Sequence, residues 1–470
     1  MTETTIPSKK ISIIKLFVHA VKGETKDFTT GSINKAIFLL AVPMILEMVL
    51  EALFAVVDIY FVNQVGAGAT STVVLTEGSL TILYSVAWGL AMGVTAMVAR
   101  RAGEKNYAAA GDIAAQAIVA ATFFSLIISI IGLIFPKEIL SFMGASQDVV
   151  QENYLFTKIM LTSNIVIMLL FVNNGIFRGI GNANIAMKTL LIANTINIVL
   201  DPLLIKGIGP FPKMGVNGAA VATTIGRSCG VLYQLYYLFN GGAFIKLVKK
   251  QFTVNMSIIK QIFDTSLGGM FQFIIGSCSW IFLLKIIAEY GKDVTAGYGI
   301  AIRICIFTIL PAWGLANAAA TLVGQNLGAG QPERAEKSVW RTAFMALCFF
   351  AVVALIFFFF GETLMRFFTT DEEAVNSGTL CLHILAIGYI FFAYGMIITQ
   401  SFNGAGDTKT PTYINLFVFW MIQIPLAYVL AKFLKLGPTG VYMAIGIAES
   451  ILAVVSIIIF KRGKWKLIKL

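Results

Sequence analysis

The stretch from Ser32 to Asn63 is a long apolar run that nonetheless holds Pro43, Glu47, Glu51 and Asp58. About 20 apolar residues already cross the hydrocarbon core of a bilayer, so this run predicts a transmembrane helix that carries acids. At about 100° per residue the three carboxylates fall within roughly 40° of one another, and at about 1.5 Å per residue they span about 16 Å of helix. An ionised carboxylate in hydrocarbon is costly unless it meets water, a partner or a cation, so this face points to a cavity or an ion path. The competing account makes Glu47 and Glu51 purely structural, either protonated or bonded to neighbouring helices.

Composition places the rest of the chain in the same solvent. Of 470 residues, 58% are hydrophobic and 13% charged, which suits a polytopic membrane protein and leaves no material for a large extramembrane domain. The five cysteines stand singly in apolar stretches without a CxxC pair, so they read as small core hydrophobes with no metal or redox duty. Walker, HExxH and nucleophile-elbow motifs are absent, so the chain is read as no enzyme, with no cofactor and no metal centre. No cleavable signal peptide is expected. Instead, Ile11, Ile14, Phe17, Val18 and Val21 share one helical side opposite Ser12, Lys15 and Lys22, which suits either a helix lying on the membrane surface or a disordered tail.

Apolar runs and short polar breaks predict twelve spans: 33–62, 70–99, 111–135, 149–177, 186–205, 215–239, 257–288, 294–324, 336–360, 374–402, 411–433 and 438–460. Lys and Arg collect on alternate connections. The amino-terminal segment, Arg100-Arg101-Lys105, Arg178 with Lys188, Lys246 to Lys260, Arg334 to Arg341, Lys409 and the carboxyl end carry most of them. The opposite loops hold only Lys137, Lys206, Lys213, Lys292, Arg366, Lys432 and Lys435. Both termini are therefore expected in the cytoplasm. The net charge of +11 follows from this asymmetry and implies no nucleic acid.

The chain also repeats itself. Ala87-Trp-Gly-Leu-Ala91 recurs as Ala312-Trp-Gly-Leu-Ala316, and seven of seventeen residues match between 87–103 and 312–328 at a shift of 225. The same shift lays Phe177-Arg-Gly-Ile-Gly181 on Phe402-Asn-Gly-Ala-Gly406, and a shift of 222 lays Gly215-Val-Asn-Gly218 on Gly437-Pro-Thr-Gly440. Each half has an even number of spans, so the predicted fold is an all-α polytopic membrane protein of two six-helix bundles. They are related by a pseudo-twofold axis along the membrane normal, a design that rocks around a central cavity. The expected divisions are an amino-terminal segment (1–31), an N-lobe (32–240), a basic linker (241–256), a C-lobe (257–461) and a basic tail (462–470).

In span five, Asn194, Asn197 and Asp201 share one face just before Pro202. Asp201 and Asp58 each lie five residues inside the far end of their spans, about 8 Å deep, so two acids from different helices share one depth. Pro202 frees a carbonyl beside them, which suits a proton or small cation. Among other intramembrane charges, Glu77 lies near that depth, and Lys285 and Glu289, four apart, read as a local ion pair. Arg303, His383, Arg227 and Glu449 receive no role, and the last two occupy equivalent repeat positions with opposite charge.

Four patterns together resemble the multidrug and toxic compound extrusion (MATE) family: Pro43 with Val57-Asp58-Ile59, Phe177-Arg-Gly-Ile-Gly-Asn182, Asn197-Ile-Val-Leu-Asp201-Pro202, and Gly218-Ala-Ala-Val-Ala-Thr223. The resemblance runs from about Gly31 to Phe460. It implies an antiporter that exports cationic, amphipathic compounds in exchange for protons or sodium ions by alternating access. It also implies that Asp58 and Asp201, with Asn197, Asn174 and Thr223 around them, couple the ion, with Na+ held by Asp58, Asn197, Asp201 and Thr223 if sodium is used. Pro43 matches the family's bending proline. The carboxyl-terminal half departs from this pattern, because Leu283 stands at the repeat position of Asp58 and Ile424 to Leu426 at that of Asp201. The chain therefore resembles the branch with an amino-terminal-lobe cation site.

Candidate cavity residues are Glu47, Glu51, Glu77, Phe61, Tyr84, Trp88, Met168 and Phe171, since acids suit cationic cargo and polarizable side chains tolerate varied ligands. The expected setting is a multi-pass, functional monomer in the inner (plasma) membrane. The alternative function is a flippase for lipid-linked saccharides, which would call for basic rather than acidic cavity residues.

Overall fold

In the computed structural model, residues 13–23, 27–242 and 244–470 are described. Helix α1 (Ile13–Lys22) precedes α2 (Ile33–Asn63), α3 (Ala67–Gly103), α4 (Tyr107–Ile134), the short α5 (Pro136–Phe142), α6 (Gln147–Thr162), α7 (Asn164–Ile180), α8 (Ala183–Lys206) and α9 (Val216–Asn240). The second half holds α10 (Met256–Ala288), α11 (Lys292–Gly328), α12 (Pro332–Phe368), α13 (Glu372–Ala405), α14 (Lys409–Phe433) and α15 (Pro438–Lys461). Among the described residues, eleven spans are long and apolar enough to cross a membrane. The twelfth predicted span is α9, which falls short because Thr223, Thr224, Arg227 and Gln234 dilute it.

Two spans differ from their predicted form. The fourth is not continuous: it breaks at Ser163, whose hydroxyl bonds the Ile159 carbonyl at 2.7 Å and the Thr224 hydroxyl at 3.0 Å, while Asn164 donates to Ser125 and Leu161 carbonyls. Short polar side chains compete with the helix for its own backbone, and here they win. The eleventh widens into π-helical turns over Leu416–Gln423 and Val429–Phe433, on either side of Pro425, which has no amide to donate. In α1, Ile14, Phe17 and Val18 are exposed, as is Lys15, while Ala20 is buried; Ile11 and Ser12 of the predicted surface helix lie outside the described residues.

The repeat is written into the backbone. Gly181 and Gly406 end their helices in the left-handed region at φ 88° and 89°. Gly215 and Gly437 precede theirs at φ 57°, ψ −138° and φ 58°, ψ −141°. Only glycine takes such angles without strain, so the recurring Gly positions fix equivalent turns in both lobes.

The first helix of each lobe leans on the other lobe. Ala36 to Met44 of α2 belong to the large apolar core built by α11, α12, α13 and α15, whereas Ile262 and Met270 of α10 belong to the core built by α3, α4 and α7. Small residues let these crossings close. Gly314 of α11 abuts the backbone of Met44 and Ile45, and Gly89 of α3 abuts Met270, the same contact under a shift of 225. Gly93 meets Ser266, and Gly328 meets the Arg100 carbonyl, so the lobes are pressed together on the side that bears both chain ends.

Polar straps cross the seam on that side. Arg334 of α12 donates to the carbonyls of Phe28, Thr30 and Gly31 at 3.2, 2.9 and 2.9 Å, while Asp27 of the same connector lies 3.5 Å from Lys105 in the other lobe. Partial burial acts to raise the Asp27 carboxyl, but the Thr29 hydroxyl and amide and Lys105 hold it below its ordinary value. Its contribution is thus present above the usual carboxylate range and lost as pH falls through the lowered value. Arg100 and Arg101 reach the carbonyls of Ile468 and Leu470, each at 2.7 Å.

A Gly93→Val variant forces the Ser266 contact apart, and overpacking of this kind costs about 1–3 kcal/mol. Gly276, with no atom within 4 Å of a built Cβ, takes the same change freely. Thermal unfolding in lipid nanodiscs should show a lowered midpoint for Gly93→Val and none for Gly276→Val; equal midpoints would contradict the close-packed seam.

Candidate functional site

The acids of α2 do not share one environment; each meets a different set of partners. Asp58, nearest the far side, faces Asp201 and Asn197 of α8 and Thr223 of α9. Asn197 donates to Asp201 Oδ1 at 3.2 Å and lies 3.3 Å from the Thr223 hydroxyl. The Thr223 side chain in turn interacts with the Asp58 carboxylate, and the two aspartates feel each other's charge. Asn197 and Asp201 are fully buried. Asp58 Oδ1, Asp201 Oδ2 and Asn197 Oδ1 are buried oxygens with no hydrogen-bond partner. Such a set is short of donors, and a proton or a small cation is what it lacks.

Glu47 lies deeper and is only 1% exposed. It accepts from Asn174 at 3.0 Å and pairs with Arg178 at 3.3 Å, and Gln234 of α9 donates to Asn174 at 2.5 Å. Two assignments change accordingly. Asn174 bonds into the Glu47 group, not to Asp58 or Asp201, because its position on α7 faces the deeper part of α2. Arg178, counted above as a loop charge, is 4% exposed and is the counterion of Glu47. Asn194 is also diverted, donating to the Leu50 carbonyl of α2 at 2.7 Å.

Glu51 sits between these groups, 3.5 Å from Arg227 of α9. Arg227, given no role above, also lies 3.5 Å from the Tyr84 hydroxyl and 4.6 Å from the centre of the Phe54 ring. Glu77 on α3 is exposed and acts on Arg227 through its charge.

Aromatic side chains from both lobes meet at the seam. Trp88 packs at 5.2 Å on Phe171, 5.6 Å on Phe273 and 5.8 Å on Trp313, and Tyr84 stands edge-on to Phe171. Beneath this cluster a small pocket is lined by Trp88, Met92 and Ala320 together with Arg178, Asn317 and Gln400, again from both lobes. Met168 is no cavity residue: it is completely buried among the side chains of α3, α4 and α7. Phe61 packs against that same core. Pro43 is buried within α2, one residue before the Met44–Gly314 contact, and the helix runs through it unbroken.

The C-lobe differs in chemistry. Leu283 is fully buried, and the buried Gln423 of α14 accepts from Ser279 of α10 at 3.1 Å, a neutral pair near the position where α8 carries Asp201. Glu289 bonds Lys432 at 2.7 Å; the expected pairing with Lys285 gives way to a cation presented from the end of α14. His383 packs on the Phe358 ring and over Gly361.

Replacing Arg178 by Met leaves Glu47 buried without its counterion, a defect worth about 3–5 kcal/mol. Denaturant unfolding of purified protein should show that loss, and Arg178→Met combined with Glu47→Gln should recover most of it. Equal stability of the single variant and wild type would contradict the pairing.

Similar proteins share this architecture. The MatE family model matches residues 43–203 and 270–429, which cover the corresponding parts of the two lobes. Among curated proteins, the chain is 27% identical over 435 residues to the probable multidrug resistance protein NorM of Thermotoga maritima, covering 92% of this chain and 93% of that protein. It is 25% identical over 434 residues to the multidrug export protein MepA of Staphylococcus aureus, covering 92% and 94%. Among solved structures, a MATE protein in complex with MaL6 superposes with a TM-score of 0.88 at 25% identity, covering 94% of this chain and 99% of that one. A MOP superfamily transporter from Pyrococcus furiosus gives 0.87 at 25%, covering 94% and 98%. With both lobes matched in sequence and the whole bundle matched in structure, the chain belongs to the MatE family of multi-pass membrane transporters.

Proposed function

We propose that this transporter is a secondary active multidrug efflux antiporter that exports cationic, amphipathic compounds in exchange for entering protons or sodium ions. The observation that carries the reading is the Asp58, Asn197, Asp201 and Thr223 group, with three buried oxygens lacking donors. Two carboxylates buried side by side repel unless a proton or a cation joins them, so their mutual attraction depends on ion loading. Asp58 rides on α2, whereas Asp201 and Thr223 are fixed on α8 and α9. Loading therefore changes how α2 seats against its own lobe.

The other end of α2 is wedged into the opposite lobe through Met44 and Gly314. Pro43 lacks an amide to close the preceding turn, which makes this part of α2 the easiest to bend. A change at Asp58 is thus delivered to the seam, some 14 residues or about 20 Å along the helix. In this reading the closed seam bearing the chain ends is the cytoplasmic gate of an outward-open state, in keeping with the Lys and Arg on that side. Sodium, if used, finds oxygen ligands in Asp58, Asn197, Asp201 and Thr223; a proton needs only the two aspartates. The neutral Ser279–Gln423 pair supports coupling through the N-lobe alone, in a functional monomer of the inner membrane.

Efflux of a fluorescent cationic dye from vesicles under an imposed pH or sodium gradient tests this. Wild type should export the dye under one of the gradients, and Asp58→Asn and Asp201→Asn should fall to the level of empty vesicles. Coupled export that survives Asp58→Asn would refute the mechanism. If no cation moves under any gradient, a lipid-linked cargo takes its place.

A further inference from the structure

Arg227 is a buried charge of the N-lobe that the antiport reading leaves without a task. Its side chain is 7% exposed and lies 3.5 Å from Glu51 of α2, with Asp58 of α2 and Glu77 of α3 within reach of its charge. A structural ion pair in so dry a place normally closes to about 2.7–2.9 Å and is often bidentate. The surface pair Arg366–Glu372 of this protein does so, at 2.7 and 2.9 Å. Arg227 does not: its nearest approaches to Glu51 and to the Tyr84 hydroxyl are both 3.5 Å, longer also than the 3.3 Å of the buried Arg178–Glu47 pair, which Asn174 further holds. Instead, its guanidinium lies over the face of Phe54 at 4.6 Å.

An aromatic face with carboxylates around it is how proteins bind organic cations, because the ring quadrupole attracts charge that is weakly hydrated and spread over a flat group. Small inorganic cations gain little from such a ring. The neighbouring Asp58 and Asp201 oxygens without donors show that the negative field here exceeds what the single arginine satisfies.

We propose that Arg227 is a tethered occupant of the cargo's cation subsite: its guanidinium holds the place over Phe54 and beside Glu51 and the Tyr84 hydroxyl that a delocalised organic cation takes when it binds. This rests on the cationic-cargo reading and adds to it the subsite and a competitor. Cargo binds by displacing Arg227, so the arginine sets how strongly cationic and how flat a compound must be to enter.

Binding of ethidium, a flat delocalised organic cation, to purified full-length protein, measured by equilibrium dialysis, tests the competition. Arg227→Met should bind the probe about tenfold more tightly than wild type. Phe54→Ala added to that variant should remove the gain. Unchanged or weaker binding by Arg227→Met overturns the proposal.

A second measurement needs no variant. Phenylglyoxal modification of Arg227 in wild type, followed by mass spectrometry, should accelerate several-fold when the probe saturates the protein, because displacement exposes the guanidinium. Protection or no change overturns the proposal even if Arg227→Met does not fold. If wild type exports cationic dye but Arg227→Met binds no more tightly, this inference alone falls. If Arg227→Met binds more tightly but no gradient drives export, the antiport reading alone falls.

Discussion

A charge inside a bilayer must be met by something, and in this protein one helix carries three that are met in three ways. Glu47 has Arg178 at 3.3 Å and Asn174 at 3.0 Å on one oxygen, while its other oxygen has no donor. Glu51 has a loosely held arginine over an aromatic ring. Asp58 has a second aspartate and a set of oxygens without donors. Along α2 from the seam to the far side the facing charge changes: Arg178 meets Glu47, a more distant Arg227 meets Glu51, and a second acid, Asp201, faces Asp58. Two carboxylates brought together in this way are what the proposed ion coupling rests on.

The pseudo-twofold design explains how such a local balance reaches the whole molecule. The first helix of each lobe packs its near half into the opposite core, and Gly314 on Ile45 mirrors Gly89 on Met270. Neither lobe holds its own first helix along its full length. In the N-lobe that helix carries acids, whereas its counterpart carries Leu283 and the Ser279 hydroxyl. The scaffold is symmetric and the chemistry is not, so in the proposed antiport ion loading acts on one lobe of a symmetric scaffold.

Most of the fold was legible because the bilayer imposes long apolar runs and the turns need glycine at fixed places. Gly181 and Gly406 could be aligned in sequence for the reason that their backbones coincide in angle. The interruption at Ser163 was hidden, since it arises from side-chain hydrogen bonds to other helices. The site was legible as far as periodicity on a single helix reached: Asn197 and Asp201 at a step of four do bond one another. Partners from other helices were not. Arg178 stood beside a turn glycine and read as a loop charge, and Glu289 found Lys432 across a helix boundary in preference to Lys285 four residues away. The near-repeat of Arg227 and Glu449 marked both as unusual, but only three-dimensional contacts showed that Arg227 sits over Phe54.

In the proposed antiport, cargo and ion are linked through the carboxylates of the N-lobe. Linked binding has a direct signature: adding a saturating cationic cargo to purified protein must expel the ion held at Asp58 and Asp201. Release of protons into weakly buffered solution, or of sodium followed by an ion-selective electrode, measures it without membranes or gradients. The account predicts release of about one ion per cargo bound, abolished when both aspartates are replaced by asparagine. Cargo binding at full occupancy with no release of either ion would contradict it.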